Sequence, residues 1–303
     1  MKRISIHIAI ICSLVSVMFS SQSCQEDINI NLNDQKLKRL VVEGSVTDEN
    51  KPHQVRLTYT TSYFEDQLVP PVLNAQVTIE EKGTGINYPL ALVDTTYGYY
   101  ESKSFAGKVG ETYILHITDG DNTYEAASKL DHVAQMDSIN YKYKYFPRDS
   151  RGYYIIRMSA YEPDPVGDIY MFYLYVNDTL YNKKLSSTPS QDDLLYNNKY
   201  LANVEIFYLP QEEIIQKTNK IRLVMLSITE EEYKYNNAFI NETYNSGSIF
   251  SGPPANIPSN VLNISGGPDG VGFFGASAIS VGKTMLTKEH DDSTNDPEYT
   301  RSL

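Results

Sequence analysis

The chain of 303 residues predicts an all-β protein, with an N-terminal immunoglobulin-like β-sandwich followed by a larger β-rich domain that carries one short helix. Three observations predict it. Apolar residues recur at every second position in short segments along the chain, which is the period of a half-buried strand. Clusters such as Gly83-Thr84-Gly85 and Asp119-Gly120-Asp121-Asn122 separate those segments with turn-forming residues. The aromatic residues are 25 Tyr and 10 Phe with no Trp, types that suit pleated surfaces.

The segment before the first strand sets the compartment. Lys2 and Arg3 precede an apolar run over residues 4–19 that is too short for a membrane span and reads as a secretion signal. Ser23 directly before Cys24 is how a bacterial lipoprotein signal ends, although Ser21 stands where a Leu is more usual. Residues 1–23 are therefore expected to be removed and Cys24 to become the acylated first residue. The chain's two cysteines are Cys12 and Cys24, so the mature chain forms no internal disulfide. Residues 24–38 are polar and Asn-rich, with no apolar period, and read as a tether.

Charge narrows the partners. The chain has 26 basic and 38 acidic residues and a net charge of −12, and loss of Lys2 and Arg3 makes the mature chain more acidic still. Nucleic-acid binding is disfavoured. The same charge repels anionic membrane surfaces, so the lipid on Cys24 would have to hold the protein at a membrane.

Residues 39–131 read as the sandwich, with strands beginning near Leu40, Val55, Val77, Tyr88, Tyr97, Thr112 and Thr123. Asp119-Gly120 between Ile117 and Tyr124 is a hairpin signal. The pattern breaks over residues 129–136, where a domain boundary is placed. The second domain, residues 135–284, has strands over 138–146, 153–160, 169–176, 204–209 and 221–228. Thr229-Glu230-Glu231-Glu232 is a capping box that opens a helix over about 229–243. The prolines at 253, 254 and 258 exclude helix and central strand from the loop that follows. Residues 271–278 read as the last strand, and 285–303 as a disordered tail.

The sequence predicts no enzyme. His53, His116, His132 and His290 fall in no HExxH motif, and the chain contains no GxSxG elbow or P-loop. Asp192-Asp193, or Asp164 with Asp168, are pairs of the kind a glycosidase uses, but they read as solvated loop acids. Asp119-Gly120-Asp121-Asn122 lacks the length and distal Glu of a calcium loop. No metal or cofactor is expected. Tyr141, Tyr143 and Tyr145 alternate with Lys142 and Lys144, so one aromatic face is a candidate platform for stacking a sugar or peptide, with sheet packing as the competing explanation.

Several motifs in order resemble domain-of-unknown-function family 4249. They are Cys24 with its acidic follow-on, Leu40-Val41-Val42-Glu43-Gly44, the helix start at Ser227-Ile228-Thr229, the Gly252-Pro253-Pro254-Ala255-Asn256-Ile257 loop, and Gly272-Phe273-Phe274-Gly275-Ala276-Ser277. Pro258-Ser259 departs from the pattern, where a Gly is expected. The resemblance implies an outer-membrane lipoprotein of Bacteroidota-type bacteria, with Gln25, Glu26 and Asp27 as the signal for export to the outer face. It also implies a TonB-dependent transporter as partner, with a capture or lid role and no chemistry of its own. Pro253, Pro254, Asn256 and Ile257 are the loop candidates for contact with that partner. The alternative expectation is a surface adhesin or structural protein of the cell envelope.

Overall fold

The computed structural model describes residues 38–61, 69–163, 166–194, 196, 198–214, 216–245, 257–288 and 298–301. From Lys38 onward the chain forms one compact unit. The first seven strands are β1 (Leu40–Thr47), β2 (Gln54–Tyr59), β3 (Gln76–Glu81), β4 (Ile86–Asp94), β5 (Tyr99–Ser102), β6 (Thr112–Asp119) and β7 (Asn122–Lys129). Next come β8 (Met136–Phe146), β9 (Arg151–Tyr161), β10 (Ile169–Val176), β11 (Thr179–Leu180), β12 (Ser190–Asp192), β13 (Tyr200–Pro210) and β14 (Thr218–Ser227). Helix α1 (Glu230–Asn245) precedes β15 (Val261–Asn263), β16 (Val271–Ser277), β17 (Ile279–Thr287) and β18 (Glu298–Arg301). The all-β class with one α-helix among the described residues is as the alternation predicts.

Period-2 patterning puts Val55 and Leu57, Val77 and Ile79, and Tyr113, Leu115 and Ile117 into one interior. At the β6–β7 turn Gly120 takes a positive φ of 59° at the first central position, the geometry of a type II′ hairpin. The strands form one nine-stranded path, β15-β7-β6-β3-β4-β5-β2-β1-β16, that curls until its two ends almost meet. Two of its members come from the far end of the sequence, and β16 runs parallel to β1.

Here the structure departs from the two-domain division. Residues 129–136 form no exposed linker, because Leu130, Val133 and Ala134 are buried. The Ser227 hydroxyl donates to the Asp131 carbonyl at 2.7 Å and accepts from the Ala278 amide at 2.9 Å. A strand that returns from nearly a hundred residues away supplies a hydrogen bond that local periodicity cannot reveal.

Asn260 stitches the seam. Its side-chain amide donates to the carbonyls of Ala127 on β7 and Phe274 on β16, at 3.0 and 2.8 Å, and its oxygen accepts from the Phe274 amide at 3.1 Å. Asn260→Ala is expected to lower stability by about 2 kcal/mol, since backbone groups lose partners in a part-buried place. A urea unfolding midpoint checks this; an unchanged midpoint would deny the stitch any energetic weight.

The remaining strands make two facing sheets, β11-β10-β14-β17 with β12 on β10, and β13-β9-β8-β18. Close approach is possible at Gly282, where a Cβ would lie 2.3 Å from the Ile139 side chain. Strand β17 escapes prediction because its pattern is inverted. Ser280 and Gly282 face inward, while Val281 and Met285 are exposed. The disordered tail also needs correction, since β17 extends to Thr287 and β18 pairs with β8.

Helix α1 begins as its capping residue requires, the Glu232 amide donating to Thr229 Oγ1 at 3.2 Å. One flank meets β16 through Tyr235 and Phe273, with ring centroids 5.3 Å apart. The other reaches the outer face of β10, where Tyr233 packs by Ile169 and Met171.

Candidate functional site

The predicted aromatic platform is interior packing. Tyr141 and Tyr143 are buried, and Tyr145 packs against the same core. Their hydroxyls are used internally: Tyr143 donates to Gln211 Oε1 at 2.7 Å, and Tyr141 accepts from the Thr287 amide at 3.2 Å. Alternation correctly gives two faces, but the charged neighbours misidentify the solvent side. Lys142 is itself largely covered, its ammonium held by Glu205 at 2.5 Å.

Of the other sequence candidates, Cys24, Gln25, Glu26, Asp27, Pro253, Pro254 and Asn256 lie outside the described residues, as do Asp164 and His290. Ile257 is half-buried just before the Asn260 stitch. His53 is buried edge-on against Phe105. His116 sits between Glu80 and Glu125, at 2.8 and 3.2 Å.

Two arrangements remain that carry recognisable chemistry. The first is a buried acid cluster. Glu162 follows β9, Asp168 precedes β10 and Asp193 follows β12, and all three are buried. The β10–β12 pairing draws the latter two together, with the Asp193 amide donating to the Asp168 carbonyl at 3.0 Å. Asp168 and Asp193 are therefore not the solvated loop acids that sequence suggests. Nothing in the pattern marks Glu162, which sequence reading passes over.

One oxygen from each of the three acids lies within 4.8 Å of the others, a set suited in kind to a hard divalent cation. The described residues also satisfy the cluster internally. Tyr170 donates to Glu162 Oε1 at 2.6 Å, His132 Nε2 lies 2.8 Å from Asp168 Oδ2, and the Gly167 amide donates to Asp193. Burial, then the neighbouring Asp168 and Asp193 charges, push the Glu162 carboxyl above its ordinary value. Burial first and the Asp193 charge after it raise Asp168 against the pull of His132. A cavity of about 90 Å³ adjoins the cluster, lined by Glu162, Tyr170, Asp193 and Tyr196 with apolar neighbours.

The second arrangement is an open groove of about 580 Å³ on the outer face of the β10-β14-β17 sheet. It is lined by Asp178, Lys220, Arg222, Lys283 and Met285, among others. Sheet register places Arg222 directly opposite Lys283, and Lys220 opposite Met285. The Arg222 guanidinium lies 3.7 Å above the Tyr175 ring, its cross-strand neighbour on the other side. Because β17 is hidden in the sequence pattern, this alignment of cations is hidden with it.

The fold brings together the very segments that carry the family resemblance. Leu40-Val41-Val42-Glu43-Gly44 lies in β1 and Gly272-Phe273-Phe274-Gly275-Ala276-Ser277 in β16, paired with Val42 beside Gly272 and Gly44 beside Phe274. Residues 25–282 match the family described as Domain of unknown function (DUF4249). The chain belongs to the DUF4249 family. The match runs across both the curled sheet and most of the facing pair, so the DUF4249 unit corresponds to the joined fold and not to either half. No curated protein matches the chain. The two motifs that pair as β1 and β16 tie the C-terminal strands into the curled sheet, whereas the acid cluster and the groove lie elsewhere in this DUF4249 chain.

Proposed function

We propose that this DUF4249 protein is a lipid-anchored, non-catalytic binding protein on the outer face of the outer membrane, which captures or gates a nutrient for a TonB-dependent transporter. The observation that carries the proposal is Ser23-Cys24 at the end of the apolar run, followed by a polar tether that leads to the folded unit at Lys38. An acidic chain of this kind gains nothing from anionic headgroups, so acyl chains on Cys24 supply the attachment. An open groove on the β10-β14-β17 sheet gives such a protein a place to hold a ligand while tethered.

The test is mild detergent extraction of native membranes, purification of the full chain, and mass spectrometry of Cys24 and of co-purifying proteins. Acylated Cys24 and a stoichiometric transporter barrel are expected. Cys24→Ala is expected to keep the fold and leave the membrane fraction, because the compact unit begins at Lys38. Acylated protein recovered as homomultimers without a transporter would replace this reading with adhesion. An unmodified Cys24 would overturn the anchor.

A further inference from the structure

We infer that the groove on the outer face of β10, β14 and β17 binds a small polyanion, a soluble molecule with two or more carboxylate, sulfate or phosphate groups joined by an uncharged skeleton. The inference deepens the capture reading and rests on it for its biological purpose, but its binding step stands without a transporter.

The first ground is local charge against global charge. In a chain of net charge −12, Lys220, Arg222 and Lys283 line one groove with Asp178 as the acid among its lining residues. Asp178 and Lys220 are 4.0 Å apart, with both side chains largely exposed, a loose pair that contributes little. Arg222 and Lys283 face each other across the ladder, and like charges in that position oppose folding. Among the described residues neither has a carboxylate partner. A bound anion removes the repulsion, which explains how the arrangement is tolerated.

Preorganisation is the second ground. The Arg222 guanidinium lies 3.7 Å from the centre of the Tyr175 ring, a cation–π contact that restrains it and leaves N–H groups for an oxyanion. Lys283, on the neighbouring strand, supplies a second positive charge for another group of the same ligand, and Lys220 a third. Met285, an apolar member of the lining that is 48% exposed, offers contact to the skeleton between the anionic groups.

Size and setting select a small ligand over a membrane. A volume of about 580 Å³ is that of a small-molecule site. The acidic remainder of the chain opposes close approach of an anionic bilayer, whose charge extends over a whole surface, more than that of a compact ion seated among the cations.

Calorimetric titration of the full purified chain with citrate and with a fully sulfated disaccharide tests the inference, with the uncharged disaccharide as control. At least one of the two polyanions is expected to bind saturably with one site per chain, more weakly at 0.5 M salt, while the uncharged sugar does not bind. Arg222→Ala with Lys283→Ala is expected to weaken that binding at least tenfold, and Lys51→Ala, between β1 and β2 of the curled sheet, to leave it unchanged. Circular dichroism and melting of each variant establish that it is folded. Absence of saturable binding by both probes at millimolar concentration overturns the inference, as does binding that the double variant leaves intact. Binding to vesicles containing anionic lipid in preference to either soluble probe overturns the choice of a small ligand. A missing transporter would leave the groove assignment standing, and failed anion binding would leave the anchor and the transporter partnership standing.

Discussion

Gly272→Ala is expected to destabilise the fold by about 4 kcal/mol or more, among the largest effects of a single substitution. Two separate penalties meet there. Gly272 has φ +92°, a conformation that L side chains disfavour by about 1–2 kcal/mol. A Cβ at this position would also lie 2.1 Å from the Val42 carbonyl oxygen and 3.0 Å from its carbon. These are backbone atoms of β1, so relief requires β16 to move away from the strand with which it pairs. That parallel pairing is what brings the C-terminal strands into the curled sheet, and the damage is expected to spread to the Asn260 stitch.

Gly266→Ala separates the two penalties. Gly266 also has a positive φ, +90°, but nothing lies within 4 Å of the Cβ position. It is expected to lose only about 1 kcal/mol, from conformation alone. Urea unfolding of the three proteins is the measurement. Equal losses in the two variants would mean that β1 yields easily, and that the parallel seam contributes little to stability.

The same seam marks how far the sequence could be read. Strands β2, β3 and β6 were legible because each has one buried and one wetter face, and the β6–β7 hairpin because Gly120 occupies the position that needs a positive φ. Helix α1 was legible from Thr229, whose hydroxyl caps it. The partnership of β1 and β16 was not, since both read as ordinary strands and their pairing depends on residues more than two hundred positions apart. Strand β17 was hidden for a different reason. Ser280 and Gly282 face the packed interior there, Ile139 approaching Gly282 too closely for anything larger, while Val281 and Met285 are left outside and Leu286 near the strand's end is the large apolar side chain that is buried. The tyrosine face of β8 was legible as a face but not as an interior one, because Lys142 opposite it is paired with Glu205 and not solvated as its charge suggests.

The candidate sites follow the same logic. Asp168 and Asp193 were visible as acids, but their convergence with Glu162 depends on β12 pairing with β10. The groove needs β17 beside β14 before Lys283 can stand opposite Arg222. Residue types were present in the sequence in both cases, and the missing information was register between strands that are not neighbours in the chain.

Glu232 gives the second large expectation. The capping box predicts that its carboxylate returns to the start of the helix. Its backbone amide does meet Thr229, but its Oε2 is shut off from solvent with no hydrogen-bond partner among the described residues. That oxygen lies 2.8 Å from the Cβ position of Gly275 on β16, so any larger residue at 275 would displace it. The groups around it bring no compensating cation: Tyr173 on β10 and Tyr235 on its own helix both have hydroxyl pKa values raised by burial and, in part, by the Glu232 charge. The one lysine nearby in the helix sequence, Lys234, pairs with Glu230 at 2.7 Å.

Burial alone pushes the Glu232 carboxyl up to about 7 from an ordinary 4.5. Between those values the folded chain retains a proton that the unfolded chain has released. The contribution of this group to stability therefore falls as pH rises from about 4.5 through 7, and levels off by about pH 8. The span corresponds to about 3 kcal/mol, most of it expressed between pH 5 and pH 8. Glu162, Asp168 and Asp48, also raised by burial, give slopes of the same sign, so the total pH dependence cannot isolate one residue. Glu232→Gln does so by difference. The variant is expected to be more stable than the wild type at pH 8 by about 2–3 kcal/mol, with the gap closing towards pH 5. Parallel stability curves for the two proteins across that range would show that the carboxylate reaches solvent or a partner when charged, and that α1 docks on β16 without discriminating between the protonation states of Glu232.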